Sequence, residues 1–354
     1  MVHPGASGQT RAQIERVLEL RGVGNRPGVA NRRLRAAIAG SASASGARLD
    51  VANALWTQSG FPIEPPFLNA LARDFGAPAQ QVDFRGDAEG ARRQINDWVA
   101  EHTEGKIGDL FAPGVVNART RLTLANALYF KASWLTEFAP GKTHDDVFHA
   151  PRGDVSVPTM HQQGTYRYAR VRGADAVTLP YKGDRLAMVI LLPARGRLPA
   201  LQRKLTVDAL RRTVRAMKPA ALDLALPRFH VETHLSLADT LSRLGMPRAF
   251  SDLAEFPCVS PEALKINAVE HKVWIDVGEK GTEAAAATGI TFGPTSAPVG
   301  GRRPRRRLPV PLPRRRPEDE RGAVPGAGPE PRADRRLTRL PGASTPVGRP
   351  HIRW

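Results

Sequence analysis

The stretch Val273-Trp-Ile-Asp-Val-Gly-Glu-Lys-Gly-Thr-Glu-Ala-Ala-Ala-Ala-Thr288 joins two different sequence patterns. Apolar residues alternate with other residues up to Val277, which predicts a strand with two distinct faces. After Gly281 the alternation gives way to Thr-Glu and four alanines. Taken alone, this row favours a turn of helix, because alanine is the best helix former and Thr-Glu is a suitable start.

The composition of the whole chain predicts a globular protein. The 354 residues are 41% apolar, which is enough for a substantial core. The single cysteine, Cys258, excludes an internal disulfide, and we expect it to be buried. No apolar run approaches the roughly 18 residues of a membrane span, and no signal peptide is visible after Met1. The sequence therefore predicts no association with a membrane.

The positive charge is concentrated in one part of the chain. The formal net charge is +18, and residues 300–354 contain fifteen arginines, eleven prolines and five acidic residues. Because this composition cannot bury enough apolar surface to fold, it predicts a disordered tail. Nucleic-acid binding through the tail is one alternative, and salt-dependent, sequence-independent affinity would be its mark.

Helical and strand patterns alternate before this tail and predict an α+β domain with a large sheet. Helices are predicted at 9–18, 31–38, 88–103 and 235–244, and a Ser/Ala/Gly loop at 40–46. Strands are predicted at 48–56, 121–130, 177–180, 186–193, 222–226 and 263–277.

The sequence offers little for catalysis. The histidines have no metal-ligand spacing, and neither a glycine-flanked nucleophile nor a phosphate-binding glycine loop occurs near them. We therefore expect no enzyme activity, no cofactor and no bound metal.

The alanine row and several other motifs resemble the serpins, the family of serine protease inhibitors. The hinge of the serpin reactive-centre loop reads Glu-x-Gly-Thr-Glu-Ala-Ala-Ala-Ala-Thr, as this chain does from Glu279 to Thr288. Further landmarks occur in the family's order at 53–56, 95–110, 126–134, 179–181, 226–229, 244–246 and 271–272. The resemblance runs from about Gly5 to Val299.

The resemblance implies a serpin-like fold over residues 1–299, with a large central mixed sheet, several helices and an exposed reactive-centre loop at about 279–299. In the family, this loop inserts into the sheet as a new strand after cleavage. The implied hinge consists of Glu279, Gly281, Thr282, Glu283, Ala284, Ala285, Ala286, Ala287 and Thr288, with Gly281 as the pivot. With a period of two, Thr282, Ala284, Ala286 and Thr288 would share the inward face, where small residues are needed. Glu283, Ala285 and Ala287 would share the other face.

Three further positions take roles by the resemblance. Asn126 and His271 match the family's polar pair at the shutter, the region under the central strands of the sheet. The alternative is a buried polar pair with satisfied hydrogen bonds, which is physically the same arrangement. Trp134 matches the aromatic residue at the breach, where insertion starts, and simple core packing is the alternative. These roles predict that all three residues lie beside the inserting strand.

The scissile bond follows by counting, because the family's cleavage residue lies sixteen positions after the hinge glutamate. From Glu279 this count predicts Thr295-Ser296, with Pro294 or Ser296 as alternatives if the register shifts. Threonine at this position favours a target serine protease with a small, mildly apolar pocket. By the resemblance, the chain is a suicide substrate that traps the protease as a covalent complex. The resemblance also implies a monomer in the extracellular space. A non-inhibitory binding protein of the family is the alternative, although it would be expected to carry bulky or charged hinge residues.

Two departures from the family pattern concern the ends of the serpin-like region. Family members begin with a helix, a strand and a second helix, whereas Met1 falls at the end of that second helix, which implies an N-terminal truncation. Residues 300–354 replace apolar core strands of the family. Read one nucleotide later, the codons of 310–313 and 324–328 are compatible with Phe-Leu-Phe and Phe-Leu-Gly-Arg. We therefore expect a frameshift between about 300 and 309, and a chain that is inactive as written.

Overall fold

The computed structural model describes residues 1–20, 27–150, 153–171, 173–294 and 351–352. Seven α-helices occur in this part of the chain: α1 Gly8–Val17, α2 Pro27–Ala44, α3 Pro65–Ala70, α4 Ala88–His102, α5 Leu198–Lys204, α6 Val207–Ala216 and α7 Ala238–Arg243. The same residues form twelve strands: β1 Arg48–Gln58, β2 Ala79–Val82, β3 Leu122–Ser133, β4 Thr143–Ala150, β5 Gly153–Val171, β6 Ala174–Pro180, β7 Ala187–Pro193, β8 Lys218–Pro227, β9 Phe229–Ser236, β10 Leu264–Gly278, β11 Gly281–Pro294 and β12 His351–Ile352.

One six-stranded sheet has the order β2-β1-β3-β11-β10-β9. The pair β1 and β2 is parallel, and the other neighbouring pairs are antiparallel. The predicted α+β fold with a large central mixed sheet is therefore confirmed.

The expected exposed loop has a different structure. Residues 281–294 form β11 and lie in the middle of the large sheet instead of projecting into solvent. A central strand pairs its backbone on both edges, whereas an exposed loop leaves these groups to water. The structure is thus that of the inserted strand, which the resemblance implies only after cleavage.

Helix α4 covers one face of the large sheet. The Asp87 side chain accepts a hydrogen bond of 2.8 Å from Gly90 N and so caps the first turn of the helix. Ile95 and Val99 lie one turn apart and are fully buried in a core that contains Tyr129 of β3 and alanines of β11. The helix therefore packs directly over the inserted strand.

The second sheet has the order β12-β8-β5-β6-β7, and β4 pairs with β5. Met160, Leu222 and Leu224 from this sheet share a buried core with Val277 of β10 and with Trp134, which directly follows β3. This core therefore lies beside the turn between β10 and β11 and supports the start of the inserted strand.

Three local predictions are wrong. The run 40–46 is not a loop, because α2 continues to Ala44; alanines favour the helix, and Ser45 Oγ donates to Ser41 O at 2.8 Å at its end. Leu235 belongs to β9 instead of a helix, because it pairs with His271 of β10. Cys258 is exposed, because neighbouring Phe256 and Val259 fill the core instead.

Within the described residues, each helix is too short or too polar to cross a lipid bilayer.

Candidate functional site

The predicted hinge lies on β11, which is paired on both edges. Ala285 is the cross-strand partner of Tyr129 on β3 and of Trp274 on β10. This pairing continues on both sides from Gly281 to Phe292. The helical reading of the alanine row is thus excluded, because long-range pairing overrides the local preference of alanine.

The two faces of β11 differ in how tightly they are packed. Ala285 and Ala287 are 1% and 0% exposed under the α4 side of the sheet, and Gly289 follows on the same face. A Cβ atom on Gly289 would lie 2.1 Å from the Phe111 ring. This face therefore accepts only very small residues.

The opposite face is looser than expected along part of its length. Thr282 is 5% exposed, whereas Ala284 and Ala286 are only half-buried. The predicted alternation of the two residue sets occurs as expected. The tighter steric limit, however, is on the Ala285 face and not on the predicted inward face, because α4 and Phe111 cover only the former.

The turn between β10 and β11 is where the inserted strand starts. Gly281 packs so closely against β3 that an added Cβ would lie 2.1 Å from Ala132 O. Glycine is needed at position 281 because the two backbones approach each other closely. The sequence did not supply this reason.

Trp134, the predicted breach residue, lies directly against this turn. Its Nε1 atom donates to Gly278 O at 2.9 Å, and its backbone amide donates to Lys280 O at 3.0 Å. Its ring stacks on Tyr181, with centroids 4.7 Å apart, and Tyr181 Oη donates to Thr282 Oγ1 at 2.9 Å. Trp134 therefore packs in the core and also binds the turn, and its role at the breach stays a prediction.

Glu279 anchors the other side of the turn. The Thr143 hydroxyl donates to its Oε1 at 2.8 Å, and Arg228 Nε lies 3.6 Å from its Oε2. Burial raises the pKa of the Glu279 carboxyl, but hydrogen bonds from its own amide and from Thr143, together with Arg228, lower it overall. The carboxylate is therefore held ionised by residues of β4 and of the β8–β9 connection.

The predicted shutter residues belong to a polar row that crosses four strands. Asn53, Asn126, Thr288 and His271 are successive cross-strand partners on β1, β3, β11 and β10. Asn126 Nδ2 donates to Asn53 Oδ1 at 2.9 Å, and His271 Nδ1 lies 2.7 Å from Thr288 Oγ1. Asn126 and His271 thus lie in one row but are separated by Thr288.

A protein-family model described as "Serpin (serine protease inhibitor)" matches residues 1–305. The chain belongs to the serpin family.

Curated serpin relatives come from distant organisms. An uncharacterized serpin-like protein of Thermococcus kodakarensis is 37% identical over 306 residues, which are 86% of this chain and 71% of the relative. The leukocyte elastase inhibitor of Bos taurus is also 37% identical, over 82% of this chain and 78% of its own length. For the antithrombin-III of Ovis aries, which is 36% identical, the match spans only 48% of the relative.

Solved serpin structures match most of this chain. A structure titled "Cleaved Serpin 42Da" has a TM-score of 0.78 and 36% identity, and covers 83% of this chain and 79% of that one. Emu ovalbumin has a TM-score of 0.79 and 25% identity, over 85% and 82% of the two chains. The serpin fold of this chain is thus similar to that of a cleaved member.

The predicted scissile residues Thr295 and Ser296 lie outside the described residues. Asn53 is the hydrogen-bond partner of Asn126, a role that the family landmark at 53–56 did not predict. A polar residue within the apolar run 51–56 was the signal that could have singled it out.

Proposed function

We propose that this serpin inhibits serine-type endopeptidases as a suicide substrate. The observation that carries the proposal is the fit of residues 281–294 as a central strand between β3 and β10. Ala285, Ala287 and Gly289 fit the space available to them, whereas larger residues at these positions would collide with α4 and Phe111. An insertable loop with small hinge residues is what this mode of inhibition requires.

In the proposed reaction, the serine of the protease attacks the carbonyl carbon of Thr295 and releases the amine of Ser296. The peptide bond breaks and an acyl-enzyme ester forms. Residues 281–294 then insert between β3 and β10 and carry the attached protease with them, before water can hydrolyse the ester. The inhibitor is consumed in the process, so it acts once and is not itself a catalyst.

Insertion is favoured by pairing and burial together. As a strand, β11 bonds with both neighbours and places Phe292 in the core at 0% exposure. Burying one phenylalanine contributes about 1.5–3 kcal/mol by itself. The Thr288 bond to His271 and the Tyr181 bond to Thr282 add to this. An uncleaved chain with the loop outside would lack these contacts and so would store the difference.

The partner in this proposal is a serine protease with a small, mildly apolar specificity pocket, because Thr295 has no cationic group. We propose that the serpin acts as a monomer in the extracellular space, without a membrane or a nucleic acid as partner. Pro294 and Ser296 stay the alternatives for the specificity residue. The expected inactivity as written and the frameshift stay predictions from the sequence.

The domain division is part of the same proposal. Residues 1–299 would form the serpin domain, with the reactive-centre loop at about 279–299, and residues 300–354 a separate Arg/Pro-rich tail. The end of the family match at residue 305 supports a boundary near that position.

A non-inhibitory binding role is the second candidate. Thyroxine Binding Globulin is among the solved relatives, at 25% identity and a TM-score of 0.76, and its name states a binding function. Ala284–Ala287 favour inhibition, because a serpin that never inserts its loop has no need of small hinge residues. The two candidates differ in whether a protease is trapped.

The decisive experiment mixes the 354-residue serpin, and a frame-restored version, with elastase-type proteases. We expect the restored protein to form a covalent complex that survives denaturant, with a new N-terminus at Ser296. A protease whose catalytic serine is replaced by alanine is the control and should form no complex. Cleavage without a complex and without a rise in thermal midpoint would exclude inhibition by insertion.

A further inference from the structure

One charged residue of the hinge is not explained by the need for small side chains. Glu283 stands between Thr282 and the four alanines, yet it enters the sheet with them. Its side chain is 21% exposed, so a large part of the carboxylate has left water. A mostly buried carboxylate is stable only where cations or hydrogen-bond donors meet it.

Three donors converge on the Glu283 carboxylate. Tyr129 Oη donates to Oε1 at 2.6 Å, Lys106 Nζ lies 3.5 Å from Oε1, and Lys131 Nζ lies 3.7 Å from Oε2. Burial raises the pKa of Glu283, but the Tyr129 hydrogen bond and the two lysines lower it overall. The carboxylate is therefore ionised at neutral pH and bound by groups from two separate elements.

Lys106 belongs to the segment that follows α4, residues 103–111, which we call the strap. The strap is fixed to α4 by side chains at both ends. Thr103 Oγ1 donates to Val99 O at 2.8 Å and accepts from Ile107 N at 3.2 Å. Asn96 Nδ2 donates to Phe111 O at 3.0 Å, and Phe111 N donates to Asn96 Oδ1 at 2.9 Å. The strap thus has one defined path.

That path crosses β10 and β11. Lys106 Nζ lies 4.4 Å from the centre of the Trp274 ring on β10, a cation–π contact. Asp109 pairs with Lys272 of β10, whose side chain is only 9% exposed. Phe111 packs on the Gly289 position of β11. The strap therefore contacts the permanent neighbour strand through two residues and the inserted strand through Lys106 and Phe111.

We infer that Tyr129, Lys106 and Lys131 form a receptor for the Glu283 carboxylate, which holds the strap closed over the inserted strand. The inference rests on the proposed function only in taking 281–294 as the inserting segment. Glu283 moves with that segment, whereas Lys106 moves with the strap. The ion pair is therefore a link that exists only when the strand is in place.

The receptor changes the charge balance of the strap upon insertion. Without Glu283, the Lys106 and Lys131 ammonium groups would face the same space without an acid between them. The Asp109–Lys272 and Glu104–Arg48 pairs would then be the polar anchors of the strap on the sheet. With Glu283 present, the strap gains a further anchor, and one carboxylate offsets part of the charge of the two lysines. Insertion and strap closure therefore favour each other.

Hydrogen exchange of the strap tests this coupling in the full 354-residue chain in its strand-inserted form. We expect Glu283→Gln and Lys106→Met each to speed amide exchange of residues 104–111 about two- to fivefold, the effect of losing a partly exposed ion pair. Lys106→Met keeps the stem over Trp274. The double variant should be no faster than Lys106→Met alone, because both substitutions remove the Glu283–Lys106 link and only Lys106→Met also removes the cation above the Trp274 ring. The thermal midpoint should fall by about 2 °C.

Lys182→Gln is the matched control, because Lys182 pairs with Glu137 at 3.7 Å away from the strap. It should leave strap exchange unchanged. If Glu283→Gln does not fold, Tyr129→Phe removes only the donor hydroxyl and carries the same test. Unchanged strap exchange, or fully additive effects of Glu283 and Lys106, would overturn the receptor.

The result is independent of protease trapping. Strap coupling without any covalent protease complex would support the receptor and exclude the proposed inhibition. A covalent complex with unchanged strap exchange would support the proposed inhibition and exclude the receptor.

Discussion

The imidazole of His271 on β10 and the hydroxyl of Thr288 on β11 share a hydrogen bond of 2.7 Å. Thr288 thereby lies between His271 and Asn126. Asn126 donates its hydrogen bond to Asn53 instead of to His271. The polar row is thus continuous only while β11 lies in the sheet. An imidazole can exchange such partners at little cost, because it can donate or accept at either ring nitrogen.

This contact predicts a pH dependence of stability. Burial lowers the pKa of His271 below its usual value of about 6.5. Because the unfolded chain then binds more protons than the folded one, His271 contributes stability above about pH 6.5 that is lost as the pH falls through the folded-state pKa. We expect the free energy of unfolding to decrease from pH 7.5 toward pH 5, measured by urea denaturation.

His271→Asn is the comparison for this pH series. Asparagine retains a donor and an acceptor but does not titrate, so the variant should show a flatter profile between pH 7.5 and 5. The carboxyl groups with lowered pKa, such as Glu279 and Glu283, act only below about pH 4.5, whereas the Met1 amine, whose pKa burial lowers to about 5, titrates in this window in both proteins alike. An equally steep loss in the variant would assign the effect to another group.

The unequal faces of β11 give a matched pair of variants. Ala287 is fully buried under α4, whereas Ala286 is half-buried on the other face. We expect Ala287→Leu to lower the free energy of unfolding of the inserted form by about 1–3 kcal/mol through overpacking. Ala286→Leu should cost clearly less. Chemical denaturation of both variants checks this, and equal losses would contradict the packing asymmetry.

Much of the fold could be predicted from local patterns. The alternation before Gly278 predicts β10, and the spacing of Ile95 and Val99 predicts α4, because each element buries one face. Leu235 shows the limit of such reasoning. Its apolar spacing suits a helix, but pairing with His271 across β10 makes it a strand residue.

The site was harder to derive because it depends on contacts between distant strands. The alanine row favours a helix locally, and only the edges of β3 and β10 make it a strand. The family resemblance supplied the hinge, but it did not supply the partners of Glu283. Tyr129 and Lys106 lie far from it in sequence: the pairing of β11 with β3 brings Tyr129 to it, and the path of the strap brings Lys106.

The reading frame beyond residue 300 is directly testable. We expect that independent sequencing of the coding DNA will show one inserted or deleted nucleotide between about codons 300 and 309. Correcting it should restore a Pro-Phe-Leu-Phe-Leu run and a Phe-Leu-Gly-Arg run. Peptide mass spectrometry of the natural protein is a second readout. An intact Arg/Pro frame, with codons incompatible with both runs, would reject the frameshift.

Thr282 is the first buried residue of the inserted strand. Its side chain is 5% exposed and accepts a hydrogen bond from Tyr181. Arginine there would place an unpaired guanidinium against the Trp134 and Tyr181 rings, at a cost of several kcal/mol. In the frame-restored protein, Thr282→Arg should therefore fold but insert too slowly. The protease should then deacylate and turn over the variant as a substrate, while Thr282→Ser, which keeps the hydroxyl, should still trap it. Titration of protease activity against each variant measures the stoichiometry, and an unchanged stoichiometry for Thr282→Arg would show that this residue does not enter the sheet during inhibition.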